Sequence, residues 1–421
     1  NKKHNLEKKL IFTQKSIKPE KNCSHYYYPE LVNKFDQDNS KFNFTDSFSS
    51  NWYDKDFHLK KFTKLRENLF KEIVEQLNLF FKKNIADDIW RIIIGPWFHF
   101  ASEVFYNRVY SIKNLFFEGK YDEAVIGNPI NERDFVSNNT LEFINKINEI
   151  SWNYLIYKKI FDELKIDYSI INKNDDTDSN NSKLKNKKNI LFSKIVDFYN
   201  KIILKKNNCL IVNTSLNKIS EKFLLFRLFK LPLINFPDKF SENMEIFSND
   251  LRIRFLKFYL KDKDTAEDKL IKTLLINSMP ISIFENFEYF FNKISSDENL
   301  SNIRYIVTSQ NYDSNEYFKF IAAVNKQKKN KLIYVQHGNV DGTSKYDSYD
   351  NTQLTCTHFF TWGYKYSSKQ IPLFNVKVAG LKKYKKNNPI QDGLMFYGLN
   401  FPIRRFFWDV MNDYNKSFED Q

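Results

Sequence analysis

The sequence predicts an α/β fold built on buried parallel strands, and three observations carry that prediction. First, an apolar run at Ile303–Val307 ends in the polar residues Thr308, Ser309 and Gln310. Second, a helix-like segment follows, with Phe318, Ala322 and Val324 among its apolar positions, before a second apolar run at Leu332–Val335. Strand, helix, strand at this spacing is a βαβ unit. Third, both strands are apolar nearly throughout, as expected of parallel strands covered on both faces. The second run stops at Gln336, His337 and Gly338. Polar residues therefore sit just past the carboxyl ends of both strands, where open α/β sheets place their ligands.

A chain of 421 residues has room for two or three domains, and 42% hydrophobic content suffices for a large core. The 42 Phe and 24 Tyr against 9 Gly indicate a compositional bias, which discounts local richness in Lys or Asn. The net charge of +14 suits nucleic acid, an acidic membrane surface or an anionic substrate. No basic block is interleaved with aromatics as a nucleic-acid site would require, so the lysines read mainly as scattered solvated charge. Cys23, Cys209 and Cys356 lie far apart without metal-ligand spacing. They fit a reducing compartment with no disulfide framework. No apolar run is long enough to span a bilayer, and the residues present include no signal peptide.

Taken in order, residues 1–50 are polar and aromatic-rich, with no clear strand. Trp52–Phe57 leads into an amphipathic helix on which Leu65, Leu69, Ile73 and Leu77 recur every fourth residue. Ile89–Trp97 follows, where Pro96 is expected to stop or kink a helix and Gly95 to permit an unusual backbone. Phe98–Tyr110 is helical again, and Leu141–Leu164 is one further helical stretch. Residues 172–190 are low in apolar residues and read as a surface loop or insertion. Cys209–Thr214 is a buried strand. Phe223–Leu231 and Leu251–Leu260 are helices, and Ile281–Phe291, after Pro280, is a helix leading into the central unit. His358–Trp362 and Val376–Gly380 are short strands. Gly393–Tyr397 opens a strand–loop–helix that reads as the first βα unit of a second α/β domain, which the chain ends too soon to complete. The expected organisation is a Rossmann-like domain over 1–390 with helical insertions, then a truncated second domain at 391–421.

Among chemistry-bearing residues, His337 is the sharpest candidate. A neutral imidazole at the end of a buried strand can act as a general base; the alternative is a hydrogen-bonded structural His. Gln336 and Gly338 flank it, and the loop to Gly342 can offer backbone donors to phosphate, without a Walker A or G-x-G-x-x-G pattern. Ser309 and Gln310 can bind a sugar or phosphate, or can cap the next helix, with Ser309 and Ser314 as natural N-caps. Arg91 and Arg108 lie in apolar, aromatic surroundings. Either clamps an anionic substrate or pairs with a buried carboxylate, Glu103 being near in sequence. Arg404 and Arg405 can meet a phosphate near a helix N-terminus or simply solvate a helix start. The D-x-D spacing of Asp54 and Asp56 recurs at Asp262 and Asp264, as chance allows among 51 acidic residues. No metal site and no cofactor are expected.

Several segments together resemble a bacterial family of transferases assigned to surface-carbohydrate biosynthesis. They are WYDKDF at 52–57, IWRIIIGPW at 89–97 with Asn107 and Arg108, SWNYLIY at 151–157, and TSQNYDSNEYFKFIAA at 308–323. LIYVQHGNVDG at 332–342, FFTWGY at 359–364 and GLMFYGLNFPIRR at 393–405 complete the set. The resemblance implies a GT-B-like fold of paired Rossmann-like domains with a cleft between them, residues 391–421 opening the nucleotide-binding half. It implies sugar transfer from a nucleotide-activated donor to a surface glycan such as lipopolysaccharide or capsule. The expected partners are that donor and a glycan or lipid-linked acceptor, with no nucleic acid. The expected location is cytoplasmic, with peripheral association at the inner membrane.

The sequence is more distantly similar to capsule-polysaccharide transferases and CDP-glycerol glycerophosphotransferases, which carry a His-Gly pair at a strand end facing the cleft. That similarity implies a catalytic His337, with Gln336, Gly338, Ser309, Gln310 and Arg91 binding substrate and Arg404 and Arg405 binding nucleotide or phosphate. Here Asn339 stands where the family usually has a further Gly. Two rival readings remain on the sequence: a polyol-phosphate transferase or nucleotide-sugar epimerase on the same fold, and a non-enzymatic basic scaffold or nucleic-acid-binding protein.

Overall fold

The computed structural model describes residues 7–12, 23–27, 55–117, 121–171, 209–228, 246–309, 315–338 and 351–378. Two parallel sheets organise them. The first is built from β1 (Glu7–Phe12), β2 (Cys23–Tyr27), β3 (Glu123–Ile126) and β4 (Tyr168–Ile170), in the order β2-β1-β3-β4. The second is built from β5 (Cys209–Val212), β6 (Tyr305–Thr308), β7 (Lys331–Val335), β8 (His358–Thr361) and β9 (Gln370–Pro372), in that order. The α/β class with parallel strands is therefore as the apolar runs predict. The loop at 172–190 and the βα unit from Gly393 lie outside the described residues.

Between the strands run α1 (Lys55–Phe80), α2 (Asp87–Phe117), α3 (Thr140–Lys146) and α4 (Ile150–Leu164). They are followed by α5 (Lys218–Arg227), α6 (Asn249–Tyr259), α7 (Ala266–Ser278), α8 (Phe287–Ser296), α9 (Glu298–Ser301), α10 (Glu316–Gln327) and α11 (Asn351–Thr355). The central unit is β6–α10–β7. Asn315 caps α10 by accepting a hydrogen bond from the Phe318 amide, so the cap is neither Ser309 nor Ser314. Core residues from both sheets, including Leu10, Ile126, Leu210, Ile306 and Leu332, join one apolar cluster through the helices.

Helix α2 is the axis of that cluster, packing on α1, α3, α4, α7, α10 and α11. It runs unbroken for 31 residues with Pro96 inside it, against the expected stop. An interior proline costs about 3 kcal/mol. Ile92, Ile93, Ile94 and Trp97 are all fully buried around it. Each contributes roughly 1.5–3 kcal/mol, so burial outweighs the local penalty. Gly95 serves close approach here: a Cβ would fall 2.9 Å from Oδ1 of Asn351 on α11.

Other boundaries differ for identifiable reasons. The stretch 141–164 is two helices, because Asn153 Nδ2 binds the carbonyls of Ile147 and Glu149 and fixes a fresh start at Ile150. Residues 281–286 are turns, since the amides of Ile281 and Ser282 donate to the carbonyls of Ser137 and Asn138, and α8 begins only at Phe287. The expected strand at 376–380 is a 3₁₀ turn at Val376–Val378, held by Asn375, whose side chain accepts from the Lys377 amide. Strands β1 to β4 and β9 and helix α7 are not apparent from the sequence pattern.

Candidate functional site

The carboxyl ends of β5, β6 and β7 lie side by side, with Val212 opposite Thr308 and Thr308 opposite Tyr334. Just beyond them three side chains meet. Ser215 Oγ is 2.7 Å from Ser309 Oγ and 3.2 Å from Nδ1 of His337. The donor in each contact depends on the imidazole tautomer and the hydroxyl rotors. His337 is exposed, and the two serines are half-buried.

The turn after β5 makes this meeting possible. Asn213 and Ser215 both take left-handed backbone, at φ 46° and 63°. Asn tolerates that conformation and Ser does so less readily, so the turn stores strain of order 1 kcal/mol or more. Two bonds hold it. The Ser309 amide donates to the Asn213 carbonyl at 2.9 Å, and the buried Thr214 hydroxyl donates to Glu221 Oε2 at 3.1 Å. Ser215 was not singled out in the sequence. It follows the predicted strand at Cys209–Thr214, but that this strand borders β6 is not contained in the local pattern.

Gln336 works beside them as a clamp. Its Nε2 donates to the Gly338 carbonyl at 2.7 Å, and its Oε1 accepts from the Trp362 amide at 2.6 Å. It is 2% exposed, so it positions the loops after β7 and β8. The indole Nε1–H of Trp362 is buried and has no hydrogen-bond acceptor among the described residues. A Cβ on Gly338 would meet nothing within 4 Å among the described residues.

A family model described as LIC12162 family transferase matches residues 5–421. The chain belongs to that family. No curated protein and no solved structure matches it. Membership in a transferase family makes this LIC12162-family chain an enzyme of the transferase class, and removes the ground for reading it as a scaffold.

Of the remaining predicted site residues of this LIC12162-family transferase, Arg91 is the one described. Arg91 stands on α2, forked onto Glu67 of α1 at 2.8 and 3.2 Å, with its guanidinium 3.9 Å from the Phe70 ring centroid. The carboxylate beside Arg91 is thus that of Glu67, while Glu103 pairs with Arg66 at 3.1 Å. Asp264 is engaged by Lys272 at 2.8 Å. Gln310, Arg404 and Arg405 lie outside the described residues. No described helix is long and apolar enough to cross a membrane.

Proposed function

We propose that the enzyme transfers a sugar from a nucleotide-activated donor to a bacterial surface glycan, with His337 as the general base. The reading rests on one observation: Ser215, Ser309 and His337 form a hydrogen-bonded set at the carboxyl ends of adjacent parallel strands. If Nδ1–H donates to Ser215 and Ser215 donates to Ser309, the lone pair resides on Nε2. Nε2 then takes the proton of an acceptor hydroxyl. The acceptor oxygen bonds to the anomeric carbon, and the bond from that carbon to the nucleotide's phosphate oxygen breaks. Gln336 holds the loops around this centre. The working location is the cytoplasm, where nucleotide sugars are made, with the basic surface drawn to lipid-linked acceptors at the inner membrane.

A panel of CMP-, CDP-, GDP- and UDP-sugars, incubated with the full chain and cell-envelope glycan, tests the proposal. Transfer of labelled sugar, with turnover falling roughly 10²–10⁴-fold in His337→Ala, is the expected result. Product analysis separates it from polyol-phosphate transfer and from epimerisation. Turnover that is indifferent to His337→Ala removes His337 from the chemistry.

A further inference from the structure

Arg108 is a buried cation that meets no carboxylate among the described residues. Its side chain is 1% exposed. The other buried arginines each hold a carboxylate: Arg66 holds Glu103, Arg91 holds Glu67 and Arg252 holds Glu285. Arg108 holds none among the described residues. Its Nη1 donates to Asn107 Oδ1 at 2.7 Å and its Nε reaches Asn153 Oδ1 at 3.5 Å. These are neutral acceptors. A guanidinium carries five N–H donors, and the two amides engage only part of that fork. Removing such an ion from water without an opposite charge is unfavourable, and the Tyr157 ring, 6.0 Å from the guanidinium, offers only a weak substitute.

Its place in the fold suits a ligand. Tyr157, three residues after Tyr154 on α4, packs its ring 4.9 Å from Phe12, the last residue of β1. The Tyr154 ring fills the space over Gly127, the first residue after β3, where a Cβ would fall 2.2 Å from it. The first turns of α4 thus roof the carboxyl ends of β1 and β3, and Arg108 sits there with Asn153. That is the edge at which open parallel sheets bind ligands.

We infer that Arg108, oriented by the side-chain carbonyls of Asn107 and Asn153, binds an oxyanion at the carboxyl edge of the first sheet: the phosphate or carboxylate group of a small-molecule ligand. The planar fork matches either group. The inference does not rest on the role proposed for His337.

The test uses the full chain in sodium phosphate, in sodium acetate and in sodium chloride at equal ionic strength. Melting temperature and hydrogen exchange are followed in each. A saturable rise in melting temperature with phosphate or acetate over chloride is expected, and the more effective anion identifies the ligand group. The response should weaken at least tenfold in apparent affinity in Arg108→Gln and persist in His337→Ala. Exchange should slow in peptides covering 104–111 and 150–157. A response retained in Arg108→Gln overturns the inference. So does the absence of any anion response, or protection lying elsewhere. Should Arg108→Gln fail to fold, the wild-type exchange map decides alone.

Discussion

The Ser215 hydroxyl lies 3.2 Å from Nδ1 of His337, although 122 positions separate the two residues. The contact exists because β6 stands between β5 and β7 and all three strands end at one level. Ser309, at the end of the middle strand, completes the set through Ser215. The left-handed turn at 213–215 is what brings the Ser215 hydroxyl over the neighbouring strands.

That turn separates strain from chemistry. A non-glycine residue in left-handed backbone costs about 1–2 kcal/mol, and glycine removes the cost while adding about 0.5–1 kcal/mol of unfolded-chain entropy. Ser215→Gly should therefore be as stable as the wild type, or up to about 1 kcal/mol more stable, yet turn over more slowly. Ser215→Ala should lose turnover with no gain in stability. Urea denaturation beside an activity assay reads both effects. Wild-type turnover in Ser215→Gly would show that the hydroxyl plays no part in orienting His337.

Gln336 and Gly338 should respond in opposite ways. Gln336→Leu leaves the Trp362 amide and the Gly338 carbonyl without their partner. The expected loss is about 1–3 kcal/mol, with a fall in kcat because the loop carrying His337 is released. Gly338→Ala adds a methyl group that meets no described atom within 4 Å, so its stability should change by less than about 0.5 kcal/mol. A raised KM in Gly338→Ala would mark that space as occupied by substrate. Equal destabilisation by the two substitutions would contradict the clamp.

The central βαβ unit is legible because each strand is a nearly continuous apolar run and α10 is amphipathic. The polar strand ends follow from the same rule, which is why Ser309 and His337 stand out. Ser215 requires one further fact, that β5 borders β6, and no local pattern contains it. Strands β3 and β4, with sequences EAVI and YSI, are too short for a period to develop. Strand β1 opens on the charges of Glu7, Lys8 and Lys9, which mask a fully buried second half. Pro96 does not stop α2, because a local penalty is outweighed by tertiary burial. The partner of Arg91 is supplied by another helix, so proximity to Glu103 in sequence is no guide.

The Arg252–Glu285 pair should be highly sensitive to substitution. Its side chains are 1% and 0% exposed, and they meet through two bonds of 2.7 Å. Arg252 also donates to the carbonyls of Ile276 and Met279. Arg252→Met would strand a buried carboxylate and two carbonyls, costing about 3–5 kcal/mol. Converting Glu285 to Leu in the same chain should restore part of that loss, since the uncompensated charge is gone. A double variant no better than the single one would mean that the carbonyl contacts dominate.

Lys272 links acid sensitivity to the ion pair that joins α7 to α1. Its Nζ is 2.8 Å from both Glu72 Oε2 and Asp264 Oδ2. Burial pushes both carboxyls up, but the hydrogen bonds and charge of Lys272, with help from Lys261, hold each below its ordinary range. A carboxyl depressed in the folded state binds fewer protons there than in the unfolded chain. Its stabilisation is complete above the unfolded value of about 4 and is lost as pH falls through the lower folded value. Lys272→Met should thus cost about 1–3 kcal/mol at neutral pH. The gap to the wild type should close as both carboxyls become protonated under acid conditions. Denaturation midpoints taken from pH 7 down to pH 3 would trace this convergence. A gap that stays constant over that range would mean that Lys272 stabilises the fold through its alkyl packing and not through its charge.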